Sequence, residues 1–325
     1  MGNRCLSKEE ILANQYVVSA GELAKLQAMA EFAAAAYQPV EGWQCKPCLH
    51  EGRAAGTQVV MTFASDNPHS KGYLARNDRL KRIILAFMGT TTIMALLEDA
   101  SFIHQAWPVT VEGSAVHGGF HWGYMEHRDT FVPRVGELMR AYPNYTLTLT
   151  GHSLGAAQAQ LAAVDLALTY PDFVQRTELY AYGSPRVGNG PFVAFFNTLP
   201  FAYVARVTHK HELVPHMAPR FMGFIHTNHE FWIRADDDLV VQCAPQSMIE
   251  TYVCSGCLPY LISKTWLEDH QTYWGIVFDI NQNRSVSREA YQGREEDTRG
   301  APVTTIVRVE DTRLLTKHDD HLVYL

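Results

Sequence analysis

The chain has 325 residues, 47% of them hydrophobic and 19% charged, enough to bury a core without help from metals or cross-links. A net charge of −7 with no long basic run argues against nucleic-acid binding. No run of 18 uninterrupted apolar residues occurs, so no membrane span is implied.

The opening "MGNRCLSKEE" lacks the apolar core of a signal peptide, and Leu6 stands where a myristoylation motif wants Ser or Thr. Residues 21–37 carry Leu23, Leu26, Met29, Phe32 and Ala33 at helical spacing, and Pro39 stops that helix. "TQVVMTFASD" and "GYLARN-DRLKRIILAFMG" read as strands with a turn at Asn77-Asp78, and "RIILAF" suits a strand buried on both faces. "YTLTL" at 145–149 is a further strand, followed by a glycine turn and an Ala- and Leu-rich helix. "ELYAYG" and "AYVARVTH" are two more. Strands alternating with helices imply a mainly parallel sheet, an α/β fold. From about residue 281 the chain turns polar and charged ("NQNRSVSREAYQGREEDTRG"), ending in a strand-like "TTIVRV". The expected division is therefore one α/β domain over 1–280 and an extension over 281–325.

Six cysteines stand at 5, 45, 48, 243, 254 and 257. The two C-x-x-C pairs admit zinc, but their spacing favours small-loop disulfides and an oxidising compartment. Asn144 and Asn283 open N-x-Ser/Thr triplets that lean the same way. Extracellular residence is the expectation, with the cytoplasm as the alternative.

Residues 149–156, "LTGHSLGA", fit G-x-S-x-G around Ser153. Three fixed positions recur by chance in about one chain of this length in ten, so context must decide. That context is a strand before and a helix after, the setting in which a sharp turn lifts a nucleophilic hydroxyl above the sheet. An N-capping serine is the plain alternative. The N–H of Leu154 stands at a helix N-terminus, where negative charge is favoured. "LAFMGTTT" offers a second donor, the N–H of Thr90, in a turn after a strand. An acid and then a histidine should follow Ser153 in the chain.

"LQAMAEFAAAAY", "FMGTTT", "GHSLGAAQAQLAA", "YAYGSPRVGN", "RVTHKHELVP" and "LEDHQTYWGI", in that order, resemble the fungal-type (class 3) lipase family of α/β-hydrolases over residues 20–280. The resemblance implies an α/β-hydrolase fold with a short helical lid. It makes Ser153 the nucleophile, His270 the base, and Leu154 and Thr90 the oxyanion donors. It puts the acid at Glu212, where the family usually has Asp; Asp236, Asp237 and Asp238 are the remaining acids. His321, in the terminal "HDDHLVYL", competes with His270 but lacks the aromatic-Gly-Ile continuation. Met88 stands where the family has Arg. The lid falls on residues 91–104, with Ile93, Met94, Leu96 and Leu97 as its apolar side.

The activity implied is serine ester hydrolysis, an acylglycerol lipase first. A carboxylic or feruloyl esterase is the alternative, and a non-catalytic lipid-binding scaffold a further one. No metal or organic cofactor is called for. The expected partners are an ester substrate and a lipid–water interface, with no protein partner inferred.

Overall fold

A computed structural model describes residues 16–65, 70–90, 102–235, 238–243, 255 and 266–280. In chain order its elements begin with β1 (Tyr16–Val17) and α1 (Ala20–Ala35), whose first turn is capped by Ser19 Oγ accepting from the Glu22 N–H at 3.1 Å. α1 ends short of the expected residue 37. Ala36, Tyr37 and Gln38 instead bond to the carbonyls three residues back, tightening the last turn ahead of Pro39. A helical turn, α2 (Lys46–Leu49), is stapled by the Cys45–Cys48 disulfide, Cα–Cα 4.9 Å. Joining the two sulfurs to each other takes this pair out of the zinc reading.

The expected strands β2 (Thr57–Ala64), β3 (Lys71–Asn77) and β4 (Arg82–Phe87) pair as an antiparallel meander, with the expected turn between β3 and β4. A small hairpin, β5 (His104–Ala106) and β6 (Ala115–His117), leads into α3 (Gly118–Ala141). Next come β7 (Thr146–His152), α4 (Leu154–Thr169), β8 (Thr177–Tyr182), α5 (Gly190–Thr198), β9 (Tyr203–His209), β10 (Glu230–Ile233) and β11 (Val240–Gln242). Last are α6 (Trp266–Gln271) and the hairpin β12 (Thr272–Tyr273) and β13 (Ile276–Val277).

Among the described residues the main sheet runs β1-β11-β10-β9-β8-β7-β4-β3-β2. Its centre, β4-β7-β8-β9-β10, is parallel, and both flanks are antiparallel. Alternation on the central strands divides the core. Ile83, Leu85 and Phe87 of β4 join Leu147, Leu149 and the apolar residues of α3 and α4 on one face. Ile84, Ala86, Tyr180, Tyr182, Ala205 and Val207 join α1 on the other. Met88 is buried in this second face, so the position that resembles an arginine site serves here as core.

Two glycines set how closely these layers meet. A Cβ on Gly151 would lie 2.3 Å from the backbone of Gly155, and one on Gly155 would lie 2.2 Å from the Phe87 carbonyl oxygen. β7, α4 and the end of β4 therefore touch backbone to backbone. Gly155→Ala is expected to destabilise the fold by about 1–3 kcal/mol or more, since no flexible side chain can yield. Gly190→Ala, where a Cβ would meet nothing within 4 Å, is the control and should be neutral or slightly stabilising. Urea unfolding of both variants checks the contrast.

Candidate active site

β7 runs on to His152, beyond the expected end of the strand, and α4 begins at Leu154. Ser153 alone makes the turn, at φ 58° and ψ −127°. A non-glycine residue held there stores roughly 1–3 kcal/mol of backbone strain. The Ser153 N–H donates to the Tyr182 carbonyl at 2.9 Å, which ties the turn to β8. Ser153 is fully buried and its Oγ makes no hydrogen bond. It does not cap α4 with its side chain, so the plain capping alternative fails. The Leu154 N–H opens the helix, where the first amide donors lack intrahelical partners. Thr90, also buried, follows Gly89, on which a Cβ would stand 3.0 Å from Ser153 Cβ. Of the two residues named as oxyanion donors, Leu154 thus follows the serine directly, and Thr90 follows a glycine packed against it.

Glu212 follows β9 in a turn that closes on itself: its N–H donates to the His209 carbonyl at 3.1 Å, and its Oε1 accepts from the His209 N–H at 2.6 Å. That curl absorbs the extra methylene of glutamate. Oε1 also accepts from the Tyr273 hydroxyl at 2.5 Å, while Oε2 lies 2.6 Å from His270 Nδ1. His270, in α6, is fully buried, and its Nε2 has no hydrogen-bond partner. Gly183, at φ 55°, lets the end of β8 approach; a Cβ there would come within 2.7 Å of both Glu212 Oε2 and His270 Cε1.

Burial is the largest influence on this pair. It pushes the Glu212 carboxyl above the usual carboxylate range and the His270 imidazole below the usual histidine range, the latter helped by nearby His209. The donors from Tyr273 and the His209 N–H oppose the burial of Glu212 by stabilising its carboxylate. With the carboxylate ionised, His270 Nδ1–H donates to it, and Nε2 is left as an acceptor.

Of the other acids, Asp238 is exposed and pairs with Lys210 Nζ at 2.9 Å. Asp236, Asp237, His321 and the lid positions Ile93, Met94, Leu96 and Leu97 lie outside the described residues, as does the extension from 281. No cluster of three His, Cys, Asp or Glu fit to hold a metal occurs among the described residues. The sequence reading had no role for Tyr273 or for the His209 N–H. Tyr273 sits in the "HQTYWGI" motif, three residues after His270, and that spacing was the available signal.

An elbow of this kind on a central parallel sheet places the chain among the α/β-hydrolases. Residues 84–222 match the family model described as Lipase (class 3). A lipase of Rhizopus niveus is 34% identical over 247 residues, covering 75% of this chain and 59% of its own length. The secreted mono- and diacylglycerol lipase A of Penicillium cyclopium is 31% identical over 243 residues, covering 72% of this chain and 77% of its own. The crystal structure of a lipase from Rhizopus microsporus var. chinensis superposes with a TM-score of 0.74 at 32% identity, covering 81% of this chain and 90% of that one. The chain belongs to the class 3 lipase family. It spans 59% of the length of the Rhizopus niveus protein.

Because burial holds the imidazole low, His270 should stay neutral as pH falls through 6.5, taking up a proton only well below it. A ¹⁵N imidazole NMR titration checks this. Protonation of His270 near 6.5 in the folded protein would mean instead that the ionised Glu212 carboxylate at 2.6 Å outweighs burial.

Proposed function

We propose that this chain is an acylglycerol lipase that hydrolyses carboxylic esters through an acyl-enzyme on Ser153. The observation that carries the reading is that Ser153 Oγ and His270 Nε2 are both buried and without a hydrogen-bond partner, while the Glu212 carboxylate lies on the far side of the imidazole, at Nδ1. His270 Nε2 takes the serine proton as Oγ attacks the ester carbonyl. Glu212 fixes the Nδ1–H tautomer and stabilises the imidazolium that forms. The Leu154 and Thr90 N–H groups hold the tetrahedral oxyanion, each such donor being worth about 10²–10³ in rate. His270 then protonates the departing alcohol, and water admitted to the site cleaves the acyl-enzyme by the same route.

A lipid surface as the place of action is supported by the exposed apolar residues beside the β5–β6 hairpin. Ile103 and Trp122 are exposed and both lie against Gly118. The exposed Phe221–Met222 turn is tied to the same hairpin through His104 Nε2 and the Met222 carbonyl at 2.8 Å. Exposed apolar groups gathered in this way fit an interface rather than a soluble ester. Of the helical lid expected at 91–104, the described residues Phe102, Ile103 and His104 are not helical: His104 opens β5, and Ile103 belongs to this exposed rim. Secretion accords with the Cys45–Cys48 disulfide and with the secreted Penicillium relative. No helix among the described residues is long and apolar enough to cross a membrane.

The test is hydrolysis of emulsified triolein, a short-chain nitrophenyl ester and methyl ferulate by the purified protein. Triolein turnover that disappears in Ser153→Ala is the expected result. Turnover of the soluble esters alone would replace the lipase with an esterase, and no turnover of any would leave a non-catalytic scaffold. Glu212→Gln should retain the fold and lower kcat by about 10⁴, because the amide no longer enforces the Nδ1–H tautomer.

A further inference from the structure

His152, the residue before the nucleophile, is buried and has both ring nitrogens engaged. Nε2 lies 2.8 Å from the backbone carbonyl of His270, and Nδ1 lies 2.8 Å from the Tyr37 hydroxyl. A carbonyl only accepts, so Nε2 carries the proton. In the neutral ring Nδ1 then accepts, and the Tyr37 hydroxyl donates. The ring also stacks on Phe278 with centroids 4.2 Å apart, and lies tilted against the His270 ring at 4.4 Å. At the other end of the chain of bonds, the Tyr37 oxygen lies against Gly89, on which a Cβ would come within 2.1 Å of it. Gly89 immediately precedes Thr90, the residue assigned to the oxyanion hole.

We infer that His152 and Tyr37 are positioning residues: the Tyr37–His152–His270 hydrogen-bond chain locks the backbone of the base to the loop that holds the oxyanion donor. The inference rests on the hydrolase reading of Ser153 and His270 given above. His152 takes no part in proton transfer, since both nitrogens are consumed by the lock. Burial and the neighbouring His270 imidazole hold its pKa well below the ordinary histidine value, which keeps the ring neutral and the bond directions fixed. What the chain fixes is distance. The loop bearing Thr90 and the carbonyl of His270 are set by one rigid ring, so the oxyanion donor and the base cannot move apart without breaking a buried hydrogen bond. Misplacing a catalytic group by about 1 Å can cost 10²-fold in rate.

The experiment compares the wild type with Tyr37→Phe, His152→Phe and the double variant, by ester kinetics and by ¹⁵N imidazole NMR. Phenylalanine keeps the stack at position 152 while removing both hydrogen bonds. In the wild type His152 should appear as the neutral Nε2–H tautomer from about pH 5 to 8. Each single variant should lower kcat by about 10- to 100-fold with KM changed less than about twofold. The double variant should be no worse than the poorer single, because both cut the same chain. Additive losses, an unchanged kcat, or a loss confined to KM would overturn the lock. So would an Nδ1–H tautomer, or titration of His152 near 6.5. If the wild type turns over no ester, the functional reading fails, and the tautomer and titration of His152 still decide this inference. If His152→Phe does not fold, Tyr37→Phe, which loses a single hydroxyl, decides it by kcat and spectrum.

Discussion

The turn at Ser153 forces a strand and a helix to meet with one residue between them, and the rest of the site follows from that closeness. A backbone at φ 58° and ψ −127° is tolerable only where the surroundings hold it. Here the hold comes from the Ser153 N–H bonded to β8 and from glycine contacts so tight that a methyl group would strike backbone. The same closeness brings the Gly89 loop from β4 and the Gly183 corner from β8 against the serine and the Glu212–His270 pair. The sheet supplies adjacency, and the glycines convert adjacency into contact.

Burial then sets the electrostatics. Taking a carboxylate and an imidazole out of water together is unfavourable unless their hydrogen-bonding capacity is used. Glu212 uses both oxygens, one on His270 and the other on Tyr273 and the His209 N–H. This double anchoring holds a glutamate firmly at the position where the resemblance leads one to expect an aspartate. The longer side chain folds back on its own turn and is gripped at Oε1, so its extra rotatable bond carries little freedom. The cost of the arrangement is borne by groups from three separate elements, which is why no shorter motif contains it.

That division also marks what could be read in the sequence. The β2–β4 meander, the strand–Ser153–helix elbow and the central parallel strands were legible because each is a local pattern: apolar alternation, a glycine turn, an Ala-rich helix. His270 and Glu212 were legible through motif resemblance, and they meet at 2.6 Å. The parts played by Tyr273, His152 and Tyr37 were not, since each depends on partners far along the chain. At position 88 the sequence showed only a departure from the arginine of the resemblance; the packing of Met88 with Ala86 against the α1 face depends on how that helix docks on the sheet.

The hydrogen bonds that assemble the site span 115 residues between Tyr37 and His152, 118 between His152 and His270, and 58 between Glu212 and His270. Contacts of such separation form late, because the intervening loops must close before they are rewarded. During synthesis from the N-terminus, the elbow and its neighbouring strands emerge well before α6 and the β12–β13 hairpin. A nascent chain of this protein can therefore carry a completed Ser153 turn while His270 is still inside the ribosome. The Glu212–His270 pairing is therefore among the later contacts to form, made when α6 and the β12–β13 hairpin dock His270 and Tyr273 onto a sheet already in place.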